Sequence, residues 1–231
     1  MTLLRRRGIG AMRITAEPAP AGDPVATSGY SSDGPSVDVA APAGIVSGEL
    51  LVAFVVARDW DDSLTTTGWT RLQTATSPAT GRPAVTLFGK VAGSSEPATY
   101  TLGTGGSTNN SERWGFVIRI PGNSGATGDV ATDRVLPSSE ILSTIDIPSI
   151  TPATAGVSYY FAAITWPQSD KTDLSIPAAA EVLAAEDYVG TGFAAVTVEE
   201  LSNNDPTGTR TFSLTSGTTG RVAAIGCTVP S

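Results

Sequence analysis

The same succession of strands and turns runs through this 231-residue sequence twice. Pro42-Ala43 followed by Gly48 answers to Pro152-Ala153 followed by Gly156, and the apolar run 51–57 answers to Tyr159-Tyr160-Phe161-Ala162-Ala163-Ile164-Thr165. Val85-Thr86-Leu87-Phe88 matches Ala194-Ala195-Val196-Thr197, Glu96-Pro97 matches Asp205-Pro206, and Arg119-Ile120-Pro121 matches Thr228-Val229-Pro230, each 109 residues later. Identity is weak, but order and spacing hold. Two copies are too few for a solenoid, which needs about three or more units to share a core. They suit two related sheet halves, about 25–122 and 123–231, closing one sandwich.

Within each copy, short apolar segments alternate with turn clusters. Ser36-Val37-Asp38-Val39-Ala40 alternates cleanly, as a strand with one wet face does, whereas 49–57 is apolar throughout and reads as a strand buried on both faces. Segments 84–88, 98–102 and 114–120 complete the first set. With 25 glycines, 16 prolines and only 16 % charged residues, the composition is that of an all-β chain. One stretch resists. Ala178-Ala179-Ala180-Glu181-Val182-Leu183-Ala184-Ala185-Glu186-Asp187 has high helix propensity, yet in the repeat it lies opposite 69–74, a strand after the Gly68 turn. The repeat predicts a strand there.

Charge is unevenly placed. The net charge is −8, but Arg5, Arg6, Arg7 and Arg13 stand in the first 13 residues with no acid among them. The body is therefore more acidic than the whole, which argues against nucleic-acid binding. Glu17-Pro18-Ala19-Pro20-Ala21-Gly22-Asp23-Pro24 has no hydrophobic period and reads as the extended, proline-rich remainder of an N-terminal arm over 1–24. Its arginines have three readings: an electrostatic anchor on an acidic partner surface, a nucleic-acid contact, or a solvating terminus. The first is favoured. The longest apolar run, 50–57, is too short to span a bilayer, and no apolar stretch follows the basic start, so neither a membrane segment nor a targeting signal is expected.

Composition also excludes most catalytic chemistry. There is no histidine, so Ser-His-Asp and Cys-His arrangements and imidazole metal sites are impossible. The single cysteine, Cys227, rules out an internal disulfide and any CxxC motif, and it sits in an apolar run where it reads as a small core residue. Carboxylate pairs of the glycosidase kind need no histidine, but no acid stands in a recognisable motif. Asp59, Asp61 and Ser63 have calcium-loop spacing, yet Leu64 stands where the turn needs glycine and no glutamate closes the loop. Asn203-Asn204-Asp205 is weaker still. Gly103-Thr104-Gly105-Gly106 lacks the lysine of a phosphate-binding loop and reads as a hairpin or edge loop. No enzyme activity, metal or cofactor is expected.

Trp60 and Trp166 both follow the long buried strand of their half. Near Asp61, Asp62, Gln168 and Asp170 their ring faces could stack on sugars; the plainer reading is that they cap the core at one end of the sandwich. Trp69 and Trp114 read as core or strand positions.

The segments Ser47-Gly48-Glu49-Leu50-Leu51-Val52-Ala53-Phe54, Thr67-Gly68-Trp69-Thr70 and Lys90-Val91-Ala92-Gly93-Ser94-Ser95-Glu96-Pro97-Ala98-Thr99-Tyr100-Thr101 resemble a β domain of actinobacteriophage virion proteins, minor tail proteins among them. Glu49 stands where that pattern usually has aspartate. The resemblance covers about 35–121, and 148–230 through the repeat. It implies a jelly-roll-like β-sandwich without enzymatic activity: a virion structural protein, either a minor tail protein or a capsid decoration protein, oligomeric and docked on capsid or tail subunits through its arm. The alternative is a carbohydrate-binding module for host-surface glycans, using the loops around Trp60 and Trp166.

Overall fold

The computed structural model describes residues 22–32, 34–57, 64–75, 83–104, 112–135, 142–154, 156, 158–166, 173–187, 192–203, 205–215 and 222–231. The first half runs β1 (Val25–Ser31), β2 (Val37–Ala40), β3 (Leu50–Ala57), β4 (Thr70–Ala75), β5 (Ala84–Val91), β6 (Thr99–Leu102) and β7 (Arg113–Arg119). A 3-10 turn, Thr127–Asp129, leads into the second half: β8 (Ala131–Val135), β9 (Thr144–Ile147), β10 (Ser158–Trp166), β11 (Leu174–Ser175), β12 (Glu181–Asp187), β13 (Phe193–Leu201), β14 (Arg210–Leu214) and β15 (Ala223–Pro230). The helix-prone alanine run is thus a strand, β12: pairing with β13 overrides local propensity.

The two halves have the same connectivity. One large sheet is ordered β1-β7-β3-β5-β4 and the other β8-β15-β10-β13-β12, while β2 pairs with β6 and β9 with β14. Each half therefore pairs first strand with last, second with next-to-last, and a central strand between, the wrapped arrangement of a jelly roll. Register makes the repeat quantitative. Leu51 lies between Lys90 and Arg119, and Tyr160 lies between Glu199 and Thr228, each residue 109 positions after its counterpart. The central strands thus correspond one residue away from the alignment read from sequence, which matched 51–57 to 159–165. In a strand that slip exchanges the two faces. The equivalent of Phe54 is Ala163. Even the irregularities recur, since β4 bulges at Leu72 and β12 at Leu183.

The layering differs from the sequence expectation. Each half does not supply one sheet of a shared sandwich; it is itself two-layered, and the large sheets of the two halves pack face to face. Alternate residues of β3 enter different cores. Leu50, Val52, Phe54 and Val56 join Phe161, Ala163, Val196, Ile225 and Cys227 in a central core between the large sheets. Leu51, Ala53, Val55 and Ala57 face Val37, Val39, Tyr100 and Leu102 under the small β2–β6 sheet. On the far side Tyr160, Ala162 and Ile164 meet Ile145, Ile147, Phe212 and Leu214. The uninterrupted apolar runs follow from this: β3 and β10 are covered on both faces.

The edges of the large sheets meet in a crossed sense. β1 lies against β12 and β4 against β8, so the strand order of one sheet runs opposite to that of the other across the interface. Ser28 Oγ donates to Glu186 on one flank, and the Arg134 guanidinium donates to the Thr74 carbonyl on the other. The halves are related as the subunits of an isologous dimer are. No described helix is long and apolar enough to cross a membrane.

Candidate functional site

The charged residues of the motif segments, Glu49, Lys90 and Glu96, hold the fold together. Glu49, at the start of β3, accepts from Arg119 Nε at 2.8 Å and Nη2 at 3.0 Å and from the backbone N–H groups of Val46 and Gly122. Burial alone would raise its pKa, but these hydrogen bonds and the guanidinium charge outweigh it and hold the carboxyl below its ordinary value. Glu96 closes the β5–β6 connection, accepting from Lys90 Nζ and the Gly93 N–H, both at 2.6 Å, and from the Tyr100 hydroxyl at 2.9 Å. Here too burial opposes and the donors prevail, so its pKa is lowered. The Lys90 ammonium sits 5.4 Å from the Tyr100 ring and 5.9 Å from that of Trp69, which packs edge-on against Tyr100. A cation against an aromatic face and a carboxylate is held by both terms together.

The second half repeats this unit with the sign reversed. Glu199 occupies the position of Lys90, and Arg210 from β14 grips it through Nε at 2.8 Å and Nη2 at 2.7 Å while lying 5.8 Å from the Tyr160 ring. Arg210 also donates to the Thr207 carbonyl.

Beside this pair is a groove of about 400 Å³, within the roughly 300–1,000 Å³ of ligand-sized clefts. It lies where the N-terminal arm joins the body. Asp23 and Pro24 form one wall, the turn before β12 with Glu181 another, and Tyr159 from β10 with Glu199 and Glu200 from β13 the floor. Tyr159 is only 6 % exposed, its ring belonging to the central core. Its hydroxyl makes no hydrogen bond among the described residues, and burial first, then the charges of Glu200 and Asp23, raise its pKa. Asp23, Glu181 and Glu200 are exposed and, among the described residues, have no ion-pair partner. The groove is acidic without being a metal centre: no three carboxylates of the described residues come close enough to share an ion.

The sequence-predicted site residues fare unevenly. Trp166 is fully buried at the end of β10, tilted against Phe193 with its Nε1 donating to the Leu142 carbonyl at 3.2 Å. With no ring face toward solvent it cannot stack on a sugar, which corrects the expectation of a glycan contact there; it caps the core. Arg5, Arg6, Arg7 and Arg13, together with Asp59, Trp60, Asp61, Asp62, Gln168 and Asp170, lie outside the described residues. Asn203 and Asp205 bind each other, through the Asn203 amide at 2.8 Å. Cys227 is buried in the central core, which pushes its thiol pKa up. Sequence reasoning missed the groove because its parts come from residues 23, 159, 181 and 200, which only the strand topology brings together. No protein-family model matches the chain, and no curated protein matches its sequence.

Proposed function

We propose that this chain is a non-enzymatic structural protein of a bacteriophage virion, a minor tail or capsid decoration protein that docks on neighbouring capsid or tail subunits through its arginine-bearing arm. One observation supports the reading above the others. The residues that carry the resemblance to phage virion domains, Glu49, Trp69, Lys90, Glu96 and Tyr100, are all engaged in internal contacts that brace the sandwich. A motif made of bracing residues supports a scaffold role. In this reading the acidic body repels nucleic acid, and the contrast between body and arm sets the docking polarity. The carbohydrate-binding alternative loses one of its two tryptophans to the core and retains only Trp60.

The test is quantitative mass spectrometry of purified particles, counting this chain against the major capsid protein. Copies in the hundreds place it on the capsid and a handful place it in the tail. Absence from the particle contradicts the reading.

A further inference from the structure

Twice the body combines an aromatic ring, a carboxylate and a cation: Tyr100 and Trp69 with Glu96 and Lys90, and Tyr160 with Glu199 and Arg210. The groove at the arm base has two of those three parts. Among the described residues Tyr159 presents a hydroxyl with no hydrogen-bond partner, and Asp23, Glu181 and Glu200 line the same groove with no cation beside them. On the opposite flank of the molecule the equivalent place holds a chain segment. There the 3-10 turn Thr127–Asp129, which precedes β8 as the arm precedes β1, packs against β5 with Thr127 beside Gly89. That flank has Thr70 and Val91 where the groove has Glu181 and Glu200, so only the groove is acidic.

We propose that this groove receives the arginine-bearing arm of a second copy of the chain. The arm carries Arg5, Arg6, Arg7 and Arg13 with no acid among them, the complement of the groove. A guanidinium there meets the Tyr159 hydroxyl as acceptor and the carboxylates as partners. The chain's own arm is a poor occupant. Arg13 stands ten positions before Asp23 in the sequence, with Pro18 and Pro20 between them, a composition that favours extended chain over a turn back into the groove. The inference rests on the docking role proposed for the arm and names its acceptor.

The test is sedimentation velocity of the full-length chain over a concentration series at low and high salt. Wild type is expected to self-associate at low salt and to dissociate as salt rises. Glu181→Gln with Glu200→Gln in one variant, and Arg5, Arg6, Arg7 and Arg13→Gln in another, each weaken association at least about tenfold. Both sites of the first variant are exposed, so unchanged melting confirms that the fold is intact. An equimolar mixture of the two variants recovers association, because the arm of one still meets the groove of the other. Three results overturn the proposal: wild type stays monomeric, the groove variant associates as wild type does, or the mixture fails to recover, which assigns the groove to the chain's own arm. The virion reading fails separately, by absence of the chain from particles.

Discussion

At the base of their central strands the two halves solve one problem differently. The first half has Glu49 and Arg119 in a two-point ion pair, each with little side-chain exposure. The second half has Ser158 and Thr228 at the same places, and both hydroxyls lie buried without a hydrogen-bond partner among the described residues. One strand over, Lys90 paired with Glu96 corresponds to Glu199 paired with Arg210. Each half thus sets a charge pair between the strand next to its central one and the segment that follows that strand, but with the sign reversed. The pair between the third and seventh strands is optional. What recurs with its roles kept is a hydroxyl donating to a carboxylate: the Thr101–Asp38 hydrogen bond between β6 and β2 returns as Thr211–Asp146 between β14 and β9.

The largest effect should come from the core that the halves share. Phe54→Ala removes a fully buried ring from the central core and is expected to cost about 3–5 kcal/mol. Because that core belongs to both halves, chemical denaturation should remain one transition. Two separated transitions would show that the halves are independent units and break the comparison at its root.

Next comes the ion pair that only the first half has. Glu49→Gln leaves the Arg119 guanidinium half-satisfied near the core and should cost about 3 kcal/mol or somewhat less, read from the denaturation midpoint. An effect below about 0.5 kcal/mol would mean that the first half does not need the pair either.

Glycines sharpen the comparison further. A Cβ on Gly115 would lie 2.5 Å from Val39 Cγ2, yet its counterpart 109 residues on is Ala224. In the second half the close approach has moved to Gly226, where a Cβ would meet the Tyr160 hydroxyl at 2.7 Å. Each glycine lies where a side chain of a small sheet, Val39 in the first half and Ile147 in the second, comes close to the large one. Gly115→Ala and Gly226→Ala should each cost about 1–3 kcal/mol by overpacking.

Acid should find the first half's carboxylates before other features. Glu49 and Glu96 have pKa values lowered in the folded state, so their contribution is complete above the unfolded value of about 4.5 and is lost as pH falls through the folded values. The double variant Glu49→Gln, Glu96→Gln should therefore show a flatter decline of melting temperature below pH 4.5 than wild type. Smallest of all, Ser158→Ala and Thr228→Val should lie within about 0.5 kcal/mol of wild type or slightly above it, since each removes an unsatisfied buried hydroxyl.

These contrasts also mark what was legible in the chain. Strand positions followed from apolar runs and turn residues, and the repeat correctly turned the alanine-rich segment at β12 into a strand. The run at β3 was read as buried on both faces, a pattern that already demands a cover on each side; assigning one sheet to each half overlooked that demand. Partners far apart in the chain left no local mark. Glu49 and Arg119, or Glu199 and Arg210, pair only because strands adjoin that the sequence does not place side by side. Trp166 looked like a loop residue because it ends a strand, but the last position of β10 is still roofed by Phe193 and Leu142. The groove was invisible for the same reason as the ion pairs.

The most direct measurement of the functional account is incorporation of a chain lacking residues 1–21, competed against wild type during particle assembly and counted by mass spectrometry. The account predicts that the truncated chain folds, with wild-type melting, and is absent from particles or falls at least about tenfold below wild type. Recovery at wild-type copy number would contradict it, by showing that the body alone holds the chain in place.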